Sequence, residues 1–501
     1  MARPNRRYLL AAIAGLIALL FAYTKSRGAA NPPPPPAAVQ GRNNTVLFLV
    51  DKHPGLTNVH YATASVLLEQ HPEVAVHFAT FSEKEKEADT VSRFARRRNP
   101  QARPIVFHGL SGRGFMETMD RPMPEYVHGR DARGMRYMFD MLPHVLQPWR
   151  VEEHLALVGR MEEVIEEVDP AVVVLDCFFM VGIDAARKQN RLMSVVAPNQ
   201  AVDSFVDRQP WGQMFWKYPA LATGFKFPVP WKDIPMNIYL RLRLIYSVLH
   251  AVFTSKKTAV YKAHGIQEPV GIFNIYRPDV PFMSASLAGA SLPLAVVPPN
   301  VTLVGPIVRA SAPAEEQDPE LAGWLARGPT VLVALGSAVL TDLQVLWKFK
   351  KYDEYDDAFL EPLRAFLDSG RLRMPKWIDA DPYSMLETGH IVLSVHHGGA
   401  NSFGEALAAG VPQALLPMWL DCYNYAAMVE DFGIGVWAGK ESSPEWKAEE
   451  LGEAFLRALD GDNPASIAMR EKAQEIGRIA RSNPGREQAA RIIARLAASG
   501  K

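Results

Sequence analysis

IVLSVHHGGANSFGEALAAGVPQALLPMWLDCYNYAAMVEDFGIG, residues 391–435, is the stretch on which the fold turns. Residues 391–395 are a short, mostly apolar run, the pattern of a strand buried on both faces of a parallel sheet. The run ends in His396-His397-Gly398-Gly399, where paired glycines let the backbone approach a ligand, and Asn401 and Ser402 then open a helix as cap residues. Strand, glycine turn and helix N-terminus together make an anion site, because the free amides of the first turn and the positive end of the helix dipole favour a phosphate. Glu405, three residues further on, reads either as the capping-box partner of Ser402 or as an acceptor for paired ribose hydroxyls. The helix stops at Gly410. A second apolar strand, residues 414–416, then delivers Pro417, Trp419 and Asp421 to the same edge of the sheet.

With these residues in place, HGGANSxxEAxxxGVP followed by PxxxD and Asn424 resembles the donor signature of the family-one UDP-glycosyltransferases, in register over residues 397–424. The resemblance implies an α/β fold of the GT-B type, two Rossmann-like domains facing a central cleft. It also implies roles for single residues: His397, Gly399, Asn401 and Ser402 at the diphosphate, Glu405 at the ribose and Asp421 at the sugar. The family usually carries Gln after that Asp, whereas here Cys422 follows. Upstream, Trp377 stands where the family stacks a tryptophan on uracil, although a lone Trp is more often core than a base platform. Gly336-Ser337 resembles the family's FGS turn, which would put Ser337 at a phosphate.

Two motifs are decoys. Asp379-Ala380-Asp381 imitates a DxD metal site but precedes Pro382 and helical residues, and Gly433-Ile434-Gly435 imitates a dinucleotide fingerprint but follows a helix where that motif must follow a strand. No metal and no further cofactor is therefore expected, the UDP-sugar being a substrate.

The chain of 501 residues, 48% hydrophobic, has enough apolar content for two good cores. Its 54 basic residues balance 54 acidic ones, with no basic tail, which argues against a nucleic-acid partner. Two cysteines, Cys177 and Cys422, exclude a disulfide framework.

At the N-terminus Arg3, Arg6 and Arg7 precede an uncharged apolar run, residues 8–24. As a helix it spans about 25 Å at about 1.5 Å per residue, slightly short of a hydrocarbon core of about 30 Å. Residues 1–30 thus read as a signal anchor or a cleaved signal peptide. Residues 31–41, with Pro32 to Pro36 in succession, read as a stiff linker holding the body off a membrane. The basic bias places that body in the lumen of the endoplasmic reticulum or secretory pathway.

Residues 42–300 are expected to form the acceptor domain and residues 301–501 the donor domain. A strand at 45–50, a helix at 58–70 and a strand at 74–79 open a βαβ unit. In the resembling family the catalytic base is a His at the start of that helix. The aligned position here is Thr57, so His60, one turn on, is expected as the base, with His53 in the preceding loop as a second candidate. Asp176 ends the apolar run 171–175. It reads either as a helix cap or as the second catalytic residue, the carboxylate that orients the imidazole and stabilises its protonated form. Residues 207–253 are rich in aromatics without strand rhythm, which suits an acceptor pocket for an apolar molecule, core packing or a membrane surface. Only eight residues, 336–343, link two strand-like runs, fewer than a parallel crossover needs. The expected reaction is inverting transfer of a hexose from a UDP-sugar to a hydroxyl of an apolar small-molecule or lipid acceptor, and the rival is a catalytically silent UDP-sugar-binding homologue.

Overall fold

The computed structural model describes residues 37–119, 126–146, 148–254, 256–270, 275–333, 343–349 and 357–499. The apolar run 8–24, the prolines 32–36, Ser337 and the short link after it lie outside those residues. Among the described residues, no helix is long and apolar enough to cross a membrane. Residues from Val39 onward form one compact unit.

That unit is built on two parallel sheets. The first contains β1 (Arg42–Leu49), β2 (Ala75–Phe81), β3 (Val106–Leu110), β4 (Pro170–Asp176), β5 (Met193–Ala197), β6 (Phe282–Ser284) and β7 (Val301–Leu303), in the order β3-β2-β1-β4-β5-β6-β7. The second contains β8 (Thr330–Val333), β9 (Gln344–Trp347), β10 (Leu372–Arg373), β11 (Ile391–His396), β12 (Gln413–Leu415) and β13 (Gly435–Trp437), in the order β10-β9-β8-β11-β12-β13. Because β7 pairs with β6, the first sheet runs past residue 300, and the expected domain boundary moves a few residues toward the C-terminus.

Both sheets are covered on both faces, which is why their strands read as apolar runs instead of alternating patterns. In β1, Leu47 and Leu49 pack with Val173 and Leu175 on one side, while Val46 and Phe48 pack with Val172 and Val174 on the other. In each sheet the strand order reverses once, between β1 and β4 and between β8 and β11, and a crevice at the carboxyl ends of the strands opens at such a reversal. The residues just beyond β1, β4 and β11 are therefore the ones to follow.

Four helices matter for the cleft: α1 (Pro54–Gln70), α2 (Ile234–Thr254), α3 (Ala400–Ala409) and α4 (Gly485–Ser499). α1 starts four residues earlier than expected, because Pro54 takes the first helical position and His53 caps it, its ring nitrogen accepting the Gly55 N–H. α4 returns from the donor side to the first sheet. Its Ala489, Ala490, Ile493, Leu496 and Ala497 join the core of β1 and β4, and burial of Ile493 and Leu496 contributes about 1.5–3 kcal/mol each. Gln488 and Arg486 tie the start of α4 to the Val304 and Val308 carbonyls.

Candidate active site

β11 ends in an imidazole that shapes the turn after it. His396 is buried, its Nδ1 accepts the Gly398 N–H at 3.1 Å, and its Nε2 must therefore carry the proton it donates to Gln413 Oε1 at 3.0 Å. Burial pushes its pKa down to about 3, which keeps it neutral. Gly398 sits at φ +95°, where a side chain is strained and would also meet Leu415 and the Cys422 carbonyl. A Cβ at Gly399 would come within 2.5 Å of His397 Nε2, so the ring of His397 lies over Gly399 and any side chain there would displace it.

The N-cap of α3 is Gly399, not Asn401 or Ser402, because the turn held by His396 already brings residue 399 into extended geometry and the helix begins at Ala400. Asn401 and Ser402 fall inside the first turn. This removes the capping-box reading of Glu405, whose side chain instead lines a crevice with Asn58, Arg309 and Asn401. Enclosure there pushes the Glu405 carboxyl up to about 8, with Asp381 adding to the shift and Arg309 opposing it. Arg309 is itself paired with Asp381 at 3.0 Å, and Asp381 caps the helix Pro382–Glu387. The crevice holds about 20 Å³, room for about one water, so any nucleotide must open it.

The two domains meet at this edge. Asn401 Nδ2 donates to the Pro54 carbonyl at 3.3 Å, and Asn199 Nδ2 to Asp421 Oδ2 at 3.4 Å. His128 N donates to the Met418 carbonyl and its Nε2 accepts the Leu420 N–H, both at 3.0 Å. Burial pushes the Asp421 carboxyl up to about 6. Trp377 lies apart from the crevice. It is 67% exposed in a groove with Leu346, Arg373 and Met374, and Lys348 Nζ sits 3.9 Å from its ring, which rules out the core reading of this residue.

On the acceptor side the structure does not bring His60 to Asp176, and this corrects the expected pair. His60 is fully buried, its Nδ1 lies 2.7 Å from the Leu56 carbonyl, its edge is against Phe48, and its ring also faces the Leu175 carbonyl. Burial lowers its pKa to about 4. Thr57 and His60, three residues apart, lie on the face of α1 that packs into the core, while Asn58 and Val59 line the crevice. Thr57 only returns its hydroxyl to the His53 carbonyl.

Asp176 serves the backbone. Its carboxylate accepts the Phe178 N–H at 2.8 Å and the Asp51 N–H at 3.3 Å. Burial pushes it up to about 7, with the Asp51 charge also raising it and the N–H donors opposing. Asp51 in turn accepts the His53 N–H at 2.9 Å and the Phe115 N–H at 2.7 Å. A relay thus runs from Asp176 through Asp51 to the backbone of His53. His53 Nδ1 accepts the Gly55 N–H at 3.2 Å, and burial lowers its pKa, with Lys84 also contributing. His397 lies near enough that the charge of His53 depresses it, after burial, to about 4. Asp51 was legible as the end of an apolar strand, just as Asp176 was; Asn58 and Asn199 carried no such signal.

Residues 374–496 match the family model described as Erythromycin biosynthesis protein CIII-like, C-terminal domain. The chain is 33% identical over 512 residues to the glycosyltransferase sdnJ of Sordaria araneosa, covering 91% of this chain and 99% of that one. Among solved structures it is similar to a UDP-glucosyltransferase from Polygonum tinctorium (TM-score 0.58, 17% identity, 94% and 100% of the two chains). It is also similar to Medicago truncatula UGT71G1 complexed with UDP-glucose (TM-score 0.56, 14% identity, 91% and 99%). The fold is GT-B, the chain is a transferase enzyme, and it belongs to the family-one UDP-glycosyltransferases.

Proposed function

We propose that the protein moves a hexose from a UDP-sugar to a hydroxyl of an apolar small-molecule or lipid acceptor, with inversion at the anomeric carbon. The observation that carries the reading is the α3 N-terminus, opened by Gly398 and Gly399 beneath His397 and facing the acceptor domain through the Asn401–Pro54 contact. In this reading the diphosphate rests on the first turn of α3, Glu405 takes the ribose hydroxyls and Asp421 the sugar. The acceptor oxygen bonds to the anomeric carbon as the bond to the diphosphate oxygen breaks, and the hydroxyl proton passes to His53. His53 is the imidazole of the acceptor domain beside the donor helix, and its Nε2 is neither bonded nor sealed. No metal enters the proposal.

Calorimetry with UDP, UDP-glucose and NAD tests the donor class. UDP and UDP-glucose are expected to bind and NAD not; tight NAD binding without UDP binding would sink the reading. Changing His397 and Ser402 to Ala is expected to weaken UDP binding by about 1 to 3 kcal/mol as charge-assisted hydrogen bonds are lost. Unchanged affinity would reject that site.

A second reading, a silent UDP-sugar-binding homologue, is favoured by one observation: the residue of α1 that faces the crevice is Asn58, not an imidazole. Asn58→His puts a ring there without touching the donor helix. Under the silent reading turnover appears only in this variant, whereas under the His53 reading the wild type turns over already and the added ring changes it by less than about tenfold.

A further inference from the structure

The aromatic segment after β5 divides in two. Tyr218 is fully buried, with its hydroxyl on the Pro293 carbonyl. Trp211 and Trp231, by contrast, are each 89% exposed, and Trp216, Met236, Tyr239 and Tyr246 are between 43% and 58% exposed. Side chains this open to water neither fill a core nor enclose an acceptor.

These residues share one ledge. Asn237, buried in the first turn of α2, donates to the Phe215 and Tyr218 carbonyls at 2.9 Å and accepts the Ala220 N–H at 2.7 Å. Val229 N donates to the Lys217 carbonyl, so the loops bearing Trp211, Trp216 and Trp231 are fastened to the start of the helix. Met236, Tyr239, Arg243 and Tyr246 follow at spacings of three, four and three, one face of α2. Trp211 itself is held at φ +58°, a left-handed conformation that strains a bulky residue, with its indole in water.

Charge points to the occupant. Within residues 211–239, which carry the three tryptophans, Lys217, Lys226 and Lys232 stand against the single Asp233, in a chain with 54 basic and 54 acidic residues. Lys217 and Lys232 adjoin the tryptophans, and Arg243 stacks on Tyr246 while pairing with Asp140 at 3.7 Å. Indoles and phenols beside lysines suit the headgroup level of a bilayer, where one end of each ring is apolar and the other wet, and the positive excess suits anionic lipid.

We propose that the ledge formed by residues 211–217, Trp231 and the exposed face of α2 seats the protein on an anionic lipid surface. The seat is independent of whether residues 8–24 span a membrane and of the reaction proposed above. It would set the folded body against the layer in which an apolar acceptor dissolves.

The test uses the full chain with phosphatidylcholine vesicles, with and without phosphatidylserine, followed by hydrogen exchange. Because residues 8–24 can hold the chain on vesicles by themselves, the deciding readout is local. Amides of residues 211–217 and 229–246 are expected to gain protection on phosphatidylserine vesicles and to lose the gain at high salt. Trp211→Ser with Trp231→Ser should abolish that protection and lower the ledge's partitioning by about tenfold or more, with UDP affinity unchanged. Vesicle binding without protection at these amides would overturn the proposal. So would protection that appears on concentrating the protein without lipid, which would assign the face to a second copy.

Discussion

His53→Ala is expected to lower turnover by about 10² to 10⁴, the usual size of general acid–base help, while leaving UDP affinity in place. His60→Leu, by contrast, is expected to leave turnover within about threefold, since it replaces a sealed ring by apolar volume. The backbone N–H of Gly55 donates to His53 Nδ1, so the neutral ring carries its proton on Nε2. Acting as a base at Nε2 requires the other tautomer, with the ring turned so that Nδ1–H no longer faces the Gly55 N–H; the 3.2 Å bond given up is worth about 1 kcal/mol. Burial lowers the pKa of His53, so the neutral ring persists below the ordinary imidazole range. The acid limb of the pH–rate profile is therefore expected below about 6.5. Steady-state kinetics with parallel UDP calorimetry decides the role. Equal losses of turnover and UDP affinity would reject the base and make Nε2–H a donor to the diphosphate.

The burial of His60 shows where sequence reading stops. Helix α1 was recognised from its apolar pattern, but its start was placed at residue 58 because DKHPGLT reads as a loop. Pro54 at the first position and His53 as cap begin it four residues earlier. Which face of α1 packs on the first sheet is set by contacts across the fold: Thr57 and His60 fall on that face, and Asn58, which no motif marked, lines the crevice.

The donor side was more legible because its geometry is local. β11, the turn at Gly398 and Gly399, and the stop of α3 at Gly410, which has φ +78°, each rest on residues a few positions apart. Even there the cap was misplaced, since the His396 side chain organises the turn and hands the cap to Gly399. The contacts that join the halves, Asn401 with Pro54 and Asn199 with Asp421, link residues 347 and 222 positions apart, and no short pattern encodes them.

Asp51 is the position where a single change should do the most damage to both fold and activity. Asp51→Ala leaves the buried N–H groups of His53 and Phe115 without acceptors, at about 1 to 3 kcal/mol each, and lets the turn bearing His53 drift. Unfolding free energy is expected to fall by about 2 to 6 kcal/mol, and turnover of the molecules that remain folded by about 10² or more. UDP affinity, set in the other domain, should survive. Asp176→Asn gives the complementary signature in pH. The Asp176 carboxyl is raised in the fold to about 7 from an ordinary 3.8, so between those values the folded chain binds the proton that the unfolded chain has released. Its contribution to stability is thus full below about pH 4 and is lost as pH rises through about 7. Urea unfolding at a series of pH values should show the wild type losing stability relative to Asp176→Asn across that window. Parallel curves would mean that Asp176 is not held protonated by its burial. An Asp51→Ala protein as stable and as active as the wild type would break the relay from Asp176 through Asp51 to His53.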